Sequence, residues 1–167
     1  MKDIQKDAIA KVRIYLHNEG IILPKKPIKE FYSQIFKLSG FGISGILNFS
    51  GKKAGAIGAQ IIRSMVEDES ELKSLEIVLS YLKVFLEETN ICKLESWKIK
   101  DEEINFSVSE SIFSEAVGKS KKPVCIPLSG AIGGLLEELT GTKWECKEIK
   151  CRSQGEEMCE FQVKISK

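Results

Sequence analysis

The 167-residue chain has no apolar run near the ~20 residues that span a bilayer, so no membrane-crossing helix is expected. Its formal net charge is only +1, and its basic pairs Lys25-Lys26, Lys52-Lys53 and Lys121-Lys122 form no stripe. Nucleic-acid binding, which relies on a concentrated basic field, is therefore not expected. Histidine is nearly absent: His17 is the only one, and no motif around it suggests a Ser-His-Asp triad. No G-x-G-x-x-G follows a strand-like segment, which removes the usual dinucleotide cradle. Gly51-Lys52-Lys53-Ala54-Gly55 fits no standard phosphate loop and is better explained by helix packing. The opening residues, Met1 to Lys6, lack the apolar core of a secretory signal, so a reducing cytoplasm is the expected compartment. An odd number of cysteines, five, argues against a disulfide framework. No linker, repeat or low-complexity stretch divides the chain.

What is present is the composition of a globular domain, 43% hydrophobic and 29% charged. Apolar spacing predicts a helix over 3–19, with Ile4, Ala8, Val12, Tyr15 and Leu16 on one face and Gly20 after its end. Pro27 is expected at N1 of a second helix with Ile28, Phe31, Ile35 and Leu38 inward. Gly40, Gly42 and Gly45 then break the pattern, and residues 43–49 fit strand or helix equally. Residues 52–66 read as helix, and the small stripe of Gly51, Gly55, Gly58 and Ala59 would admit a second backbone. Asp68 with Glu71 resembles a capping box opening a long helix through Leu72, Leu75, Leu79, Leu82, Phe85 and Leu86.

From residue 91 the period changes to two. Ile104, Phe106 and Val108 alternate with Asn105, Ser107 and Ser109, and residues 91–99 can pair with them through a hairpin bulged between Leu94 and Trp97. A helix over 127–139 ends at Gly141, and two further strands carry Trp144, Cys146 and Glu148, then Cys159, Phe161, Val163 and Ile165. The expected architecture is α+β: a four-stranded antiparallel sheet, two hairpins with a helix between them, covered by N-terminal helices. It forms one domain over 1–167, helical to residue 88, with the sheet in 89–167.

Cys125, Cys146, Cys151 and Cys159 draw chemical attention. Cys151 and Cys159 flank a hairpin loop, and Cys125 stands before a helix that can approach them. Three thiolates and one further donor meet the tetrahedral preference of zinc. Glu148 and Cys146, two apart on one strand face, both qualify as the fourth: softness favours Cys146, position favours Glu148. A buried cysteine is also an ordinary core residue, and Cys151 with Cys159 would serve a redox sensor.

The series Cys125, Gly130, Gly134, Gly141, Glu148, Cys151, Gly155, Cys159 and Phe161, with Gly51 and Gly55 upstream, resembles the 4-vinyl reductase (4VR) domain family. That family is a small-molecule-binding domain related in fold to TRAPP-type transport subunits and haem-NO-binding domains. It includes phenol-sensing input domains of bacterial transcription activators. The resemblance implies a structural Zn²⁺ on Cys125, Glu148, Cys151 and Cys159, with Lys147, Lys150 and Arg152 placed to offset its charge. It also implies an apolar pocket, for which Phe106, Val108 and Phe113 are the candidate lining. Phenol-sensing members hold a hydroxyl with His and Trp; here the only His is His17, so a more apolar ligand is expected. The expected function is a zinc-containing sensor of a hydrophobic small molecule, a homodimer signalling to a separate protein effector, and not an enzyme. The alternatives are a TRAPP-like interaction scaffold and a reductase-associated protein of tetrapyrrole metabolism.

Overall fold

The computed structural model describes residues 2–38 and 42–166. Gly40 and the side chain of Ile4, both named above, lie outside the described residues. Helix α1 (Lys2–Glu19) buries Ala8 and Val12 against α4 (Leu75–Glu88), where Tyr15 meets Phe85 at 6.3 Å. Arg13 clamps Glu88 with two hydrogen bonds of 2.8 and 3.0 Å.

Helix α2 spans Lys25–Leu38, so Pro27 stands inside its first turn, where its missing N–H has no intrahelical partner to lose. Its inward face differs from the expected one: Tyr32 is buried, whereas Phe31 and Leu38 face outward. The rotation is set by the Tyr32 hydroxyl, which donates to the Val124 carbonyl at 2.5 Å, and by its ring, edge-on to Phe113 at 5.0 Å.

Helix α3 runs from Ile43 to Met65. The segment that fitted strand or helix is its first turns, and the helix passes through Gly45 instead of breaking there. One interior glycine costs about 1 kcal/mol, which a long, tertiary-anchored helix absorbs. The anchor is α6 (Ile126–Thr140). A methyl on Gly51 would lie 2.2 Å from the Pro127 carbonyl oxygen, and on Gly55 1.9 Å from that of Ala131. Reciprocally, Gly130 faces the Asn48 oxygen at 2.2 Å and Gly134 that of Lys52 at 2.0 Å. Only residues without a Cβ let the two backbones come this close.

The long helix expected from Asp68 is two elements. The Asp68 carboxylate accepts from the Ser70 amide at 2.8 Å and caps a 3-10 turn, Glu69–Lys73. Ser74 is extended, and α4 starts after it.

Strands β1 (Lys93–Lys100) and β2 (Glu103–Ser109) form the expected hairpin, with a register shift between Leu94 and Ser96. A six-residue helix, α5 (Ile112–Val117), follows where only continuing apolar chain was read. Strands β3 (Trp144–Lys150) and β4 (Cys159–Ile165) complete an antiparallel sheet of order β1-β2-β4-β3. The chain therefore has the expected α+β architecture. Ile104, Phe106, Val108, Phe161 and Val163 are buried on the helix-facing side, and Phe106 stacks on its cross-strand partner Phe161 at 5.0 Å. Each such side chain contributes ~1.5–3 kcal/mol when fully buried. Helix α6 covers the outer edge of β3: a methyl on Gly133 would lie 3.3 Å from the Trp144 carbonyl oxygen. Among the described residues, no helix is long and apolar enough to cross a membrane.

Candidate metal centre

Three chain segments deliver four donors to one point. Cys125 is the N-cap residue of α6, and its side chain makes no cap hydrogen bond. Pro127 in the first turn fixes the helix start, and the Cys125 carbonyl accepts from Ser129 N at 3.1 Å. Cys151 follows the end of β3, and Cys159 opens β4. The loop between them turns through Arg152–Gln154 and Gly155, whose φ of +99° suits glycine. A register shift between Glu148 and Lys150 lets β3 swing toward this loop while Glu148 stays opposite Phe161.

The donor atoms of Cys125, Glu148, Cys151 and Cys159 all lie within 4.8 Å of one another. Cys125 Sγ is 3.8 Å from Cys159 Sγ, and Cys159 Sγ is 3.9 Å from Cys151 Sγ. The three cysteines are fully buried and free of disulfides. Tetrahedral sulfur ligands at the usual Zn–S length of ~2.3 Å stand about 3.8 Å apart, so the spacing suits a small tetrahedral cation. Glu148 Oε2 accepts from the Cys125 amide at 2.8 Å, whereas Oε1 is buried without a hydrogen-bond partner. A buried carboxylate oxygen left bare is costly unless a cation takes it. On both grounds the donor set fits a metal ion.

Burial and the contact with Cys151 push the Glu148 carboxyl up to about 7. Contacts with Cys151 and Cys159, then burial, push the Cys125 thiol far up, while hydrogen bonds from those same neighbours pull Cys151 down. Cys159 rises to about 12: Cys125 draws it down, but Cys151 and burial outweigh that. A cluster without a cation thus retains most of its protons, and loading it must release them.

Cys146 is buried but does not belong to this group of donors. It pairs with Val163, well along β4 from Cys159, and borders a groove of about 510 Å³ with Ser129 and Gly133. Two residues along a strand move a side chain by about 6.6 Å, too far for both positions to serve one ion. The expected cationic flank is also revised: Lys147 pairs with Glu145 at 3.2 Å and Lys150 with Glu160 at 2.9 Å. Arg152 contributes its backbone amide, 3.4 Å from Cys159 Sγ. Ser111 is a contact that the sequence reading did not identify, its hydroxyl 3.2 Å from Cys125 Sγ. A short helix after β2 would have been the signal, and six residues are too few to show a period.

The candidate pocket residues sit around the cluster. Val108 is buried directly across from Cys159 in the β2–β4 register, and Phe113 packs on Tyr32. Phe106, stacked on Phe161, borders an open depression of about 360 Å³ with Ser107, Ile149 and Met158. His17 is exposed in the last turn of α1.

Residues 104–165 match the 4-vinyl reductase (4VR) domain. MJ0150, an uncharacterised protein of Methanocaldococcus jannaschii, is 30% identical over 127 residues, 76% of this chain and 68% of that protein. Among solved structures, a vinyl-4-reductase family protein from the same organism aligns with a TM-score of 0.59 and 22% identity, over 99% of this chain and 94% of that one. The phenol-responsive sensory domain of the transcription activator PoxR, solved with phenol, aligns with a TM-score of 0.68 and 15% identity, over 87% and 76%. A trafficking protein particle complex subunit 3 from Naegleria fowleri, covalently bound to palmitic acid, gives 0.66 and 18%, over 86% and 95%.

Proposed function

Because the chain belongs to the 4-vinyl reductase (4VR) domain family, we propose that residues 1–167 form one sensor domain for a hydrophobic small molecule, held together by a structural zinc ion on Cys125, Glu148, Cys151 and Cys159. The observation that carries the zinc reading is the convergence of three sulfurs at 3.8 and 3.9 Å with a carboxylate whose Oε1 has no other partner. When bound, the ion supplies a tetrahedral node that cross-links the start of α6, the end of β3 and the start of β4. A shell of four protein donors leaves no open position, which suits a structural ion rather than a catalytic one. Metal analysis of protein purified without added zinc tests this: one zinc per chain is expected, and none would remove the reading.

The sensor reading draws on the fold shared with the PoxR domain and on the apolar residues Phe106, Val108 and Phe113 beside the cluster. Thermal shifts across aromatic, acyl and tetrapyrrole compounds test it; no response to any class would count against a sensor. A protein-contact role has its own support in exposed Ile21, Ile22 and Leu23 between α1 and α2, Phe31 and Leu38 on α2, and Ile46 and Phe49 on α3. We assign that surface to a second copy of the chain, with any effector binding the dimer.

A further inference from the structure

Three thiolates, one carboxylate and a divalent cation sum to a charge of −2, and the neighbouring lysines are engaged with surface carboxylates. A buried anionic centre must then be balanced by oriented dipoles. Two point at its sulfurs: the Arg152 amide toward Cys159 at 3.4 Å, and the Ser111 hydroxyl toward Cys125 at 3.2 Å. We propose that Ser111 is a positioning residue of the metal centre, its hydroxyl donating to the Cys125 thiolate and setting how tightly that sulfur is held. This rests on the metal reading above.

The surroundings of Ser111 leave its side chain little else to do. It is fully buried and is the N-cap residue of α5, the position where a serine hydroxyl normally accepts from the helix's own amides. Here it makes no such bond. Instead the Ser111 backbone is fixed from several directions. Glu110 takes a φ of +51°, a left-handed kink uncommon outside glycine, asparagine and aspartate. The Ile112 amide donates to the Ile91 carbonyl at 2.9 Å. The Ser111 carbonyl accepts from the Glu115 amide and the Ser114 hydroxyl, each at 3.0 Å. The Ser114 carbonyl accepts in turn from the Ser153 hydroxyl at 3.3 Å, which fastens α5 to the loop carrying Cys151 and Cys159. A metal-bound thiolate has no proton to give, so in the 3.2 Å contact the hydroxyl is the donor. A hydrogen bond of this kind lowers the energy of the sulfur lone pairs and orients the ligand, and losing such an outer partner typically weakens metal binding by ~10–100-fold.

The test uses the full chain loaded with Co²⁺, whose sulfur-to-metal charge-transfer band reports the thiolates directly. Ser111→Ala is expected to weaken Co²⁺ and Zn²⁺ binding by ~10–100-fold in chelator competition and to move the charge-transfer band to longer wavelength, while the ligand-field bands remain tetrahedral. Ser114→Ala removes a neighbouring buried hydroxyl that touches no sulfur and should leave the band in place. The pair Ser111→Thr and Ser111→Val, equal in shape, separates the hydroxyl from packing: Thr should keep the wild-type band and Val should shift it. That pair also decides the matter if the alanine chain does not fold. Wild-type band position and affinity in Ser111→Ala, or matching spectra for Thr and Val, would overturn the assignment while leaving the metal centre intact. A wild-type chain that binds no Co²⁺ or Zn²⁺ would remove the metal reading and this inference with it.

Discussion

Adding one methyl group where α3 crosses α6 provides a sharp test of the packing. In Gly55→Ala the new carbon would lie 1.9 Å from the Ala131 carbonyl oxygen. Carbon and oxygen settle no closer than about 3.3 Å, so the helices must part by roughly an ångström. The obstacle is backbone on both sides, and no side-chain rotation can relieve it. A gap of ~0.5–1 Å forfeits a quarter to a half of each contact's attraction. Overpacking of this sort costs ~1–3 kcal/mol, and the better helix propensity of alanine returns up to ~1 kcal/mol. Because four glycine contacts share this seam, we expect the upper part of that range, a net loss of about 2 kcal/mol. At ~2–4 °C per kcal/mol for a chain of this length, the melting temperature should fall by about 4–8 °C. Gly58 is the control on the same helix: its added methyl would meet only Leu135 Cδ1, at 3.9 Å. Gly58→Ala should therefore stabilise by up to ~1 kcal/mol. Thermal and urea unfolding of the two variants measure the opposite signs. A Gly55→Ala chain as stable as wild type would refute the close crossing, and two equal shifts would refute the distinction between the faces.

Cys151→Ala and Cys159→Ala should each lose bound zinc and melt several degrees lower; retention of one zinc per chain by both would contradict their role. Metal affinity should weaken as pH falls through about 7, since Glu148 then regains its proton, and a chelator titration across that window reads it. In the metal-free chain the sign reverses. A carboxyl raised from 4.5 to about 7 leaves the folded state holding more protons than the unfolded one between those values, so stability should fall as pH rises across them and then level off. Glu148→Gln should flatten that slope, and an unchanged slope would exclude this residue as its source. Ile22→Lys with Phe31→Lys should convert a dimer to a monomer in sedimentation without lowering the melting temperature; a wild-type monomer would dismiss the second-copy proposal. Phe161→Ala, which removes a fully buried ring stacked on Phe106, should cost ~3–5 kcal/mol in urea unfolding.

Periodicity made much of this fold legible. The alternation of Ile104, Phe106 and Val108 located a buried strand face, and the slip near Leu94 located a bulge, because strand period depends on local backbone geometry alone. The glycines at 51 and 55 read as room for another backbone, and α6 occupies that room; Gly58 reads the same in sequence yet faces open contact. What stayed hidden depends on tertiary context. The inward face of α2 is chosen by Tyr32 reaching Val124, 92 residues away, so the more apolar stripe of Phe31 and Leu38 faces out. At the metal centre, spacing brought Cys151 and Cys159 together but left Cys146 and Glu148 equal. A bulge after Glu148 and the approach of Cys125 separate them, and neither leaves a mark in the local pattern.

The strand order β1-β2-β4-β3 places the latest-made strand in the interior of the sheet. As the polypeptide lengthens, the first hairpin presents an unsatisfied hydrogen-bonding rim along β2, and β3 has no neighbour of its own. Both wait for residues 159–165 to slot between them, so the sheet forms by insertion and not by outward growth. The same seven residues begin with Cys159, and the step that closes the sheet therefore also completes the metal-ready cluster.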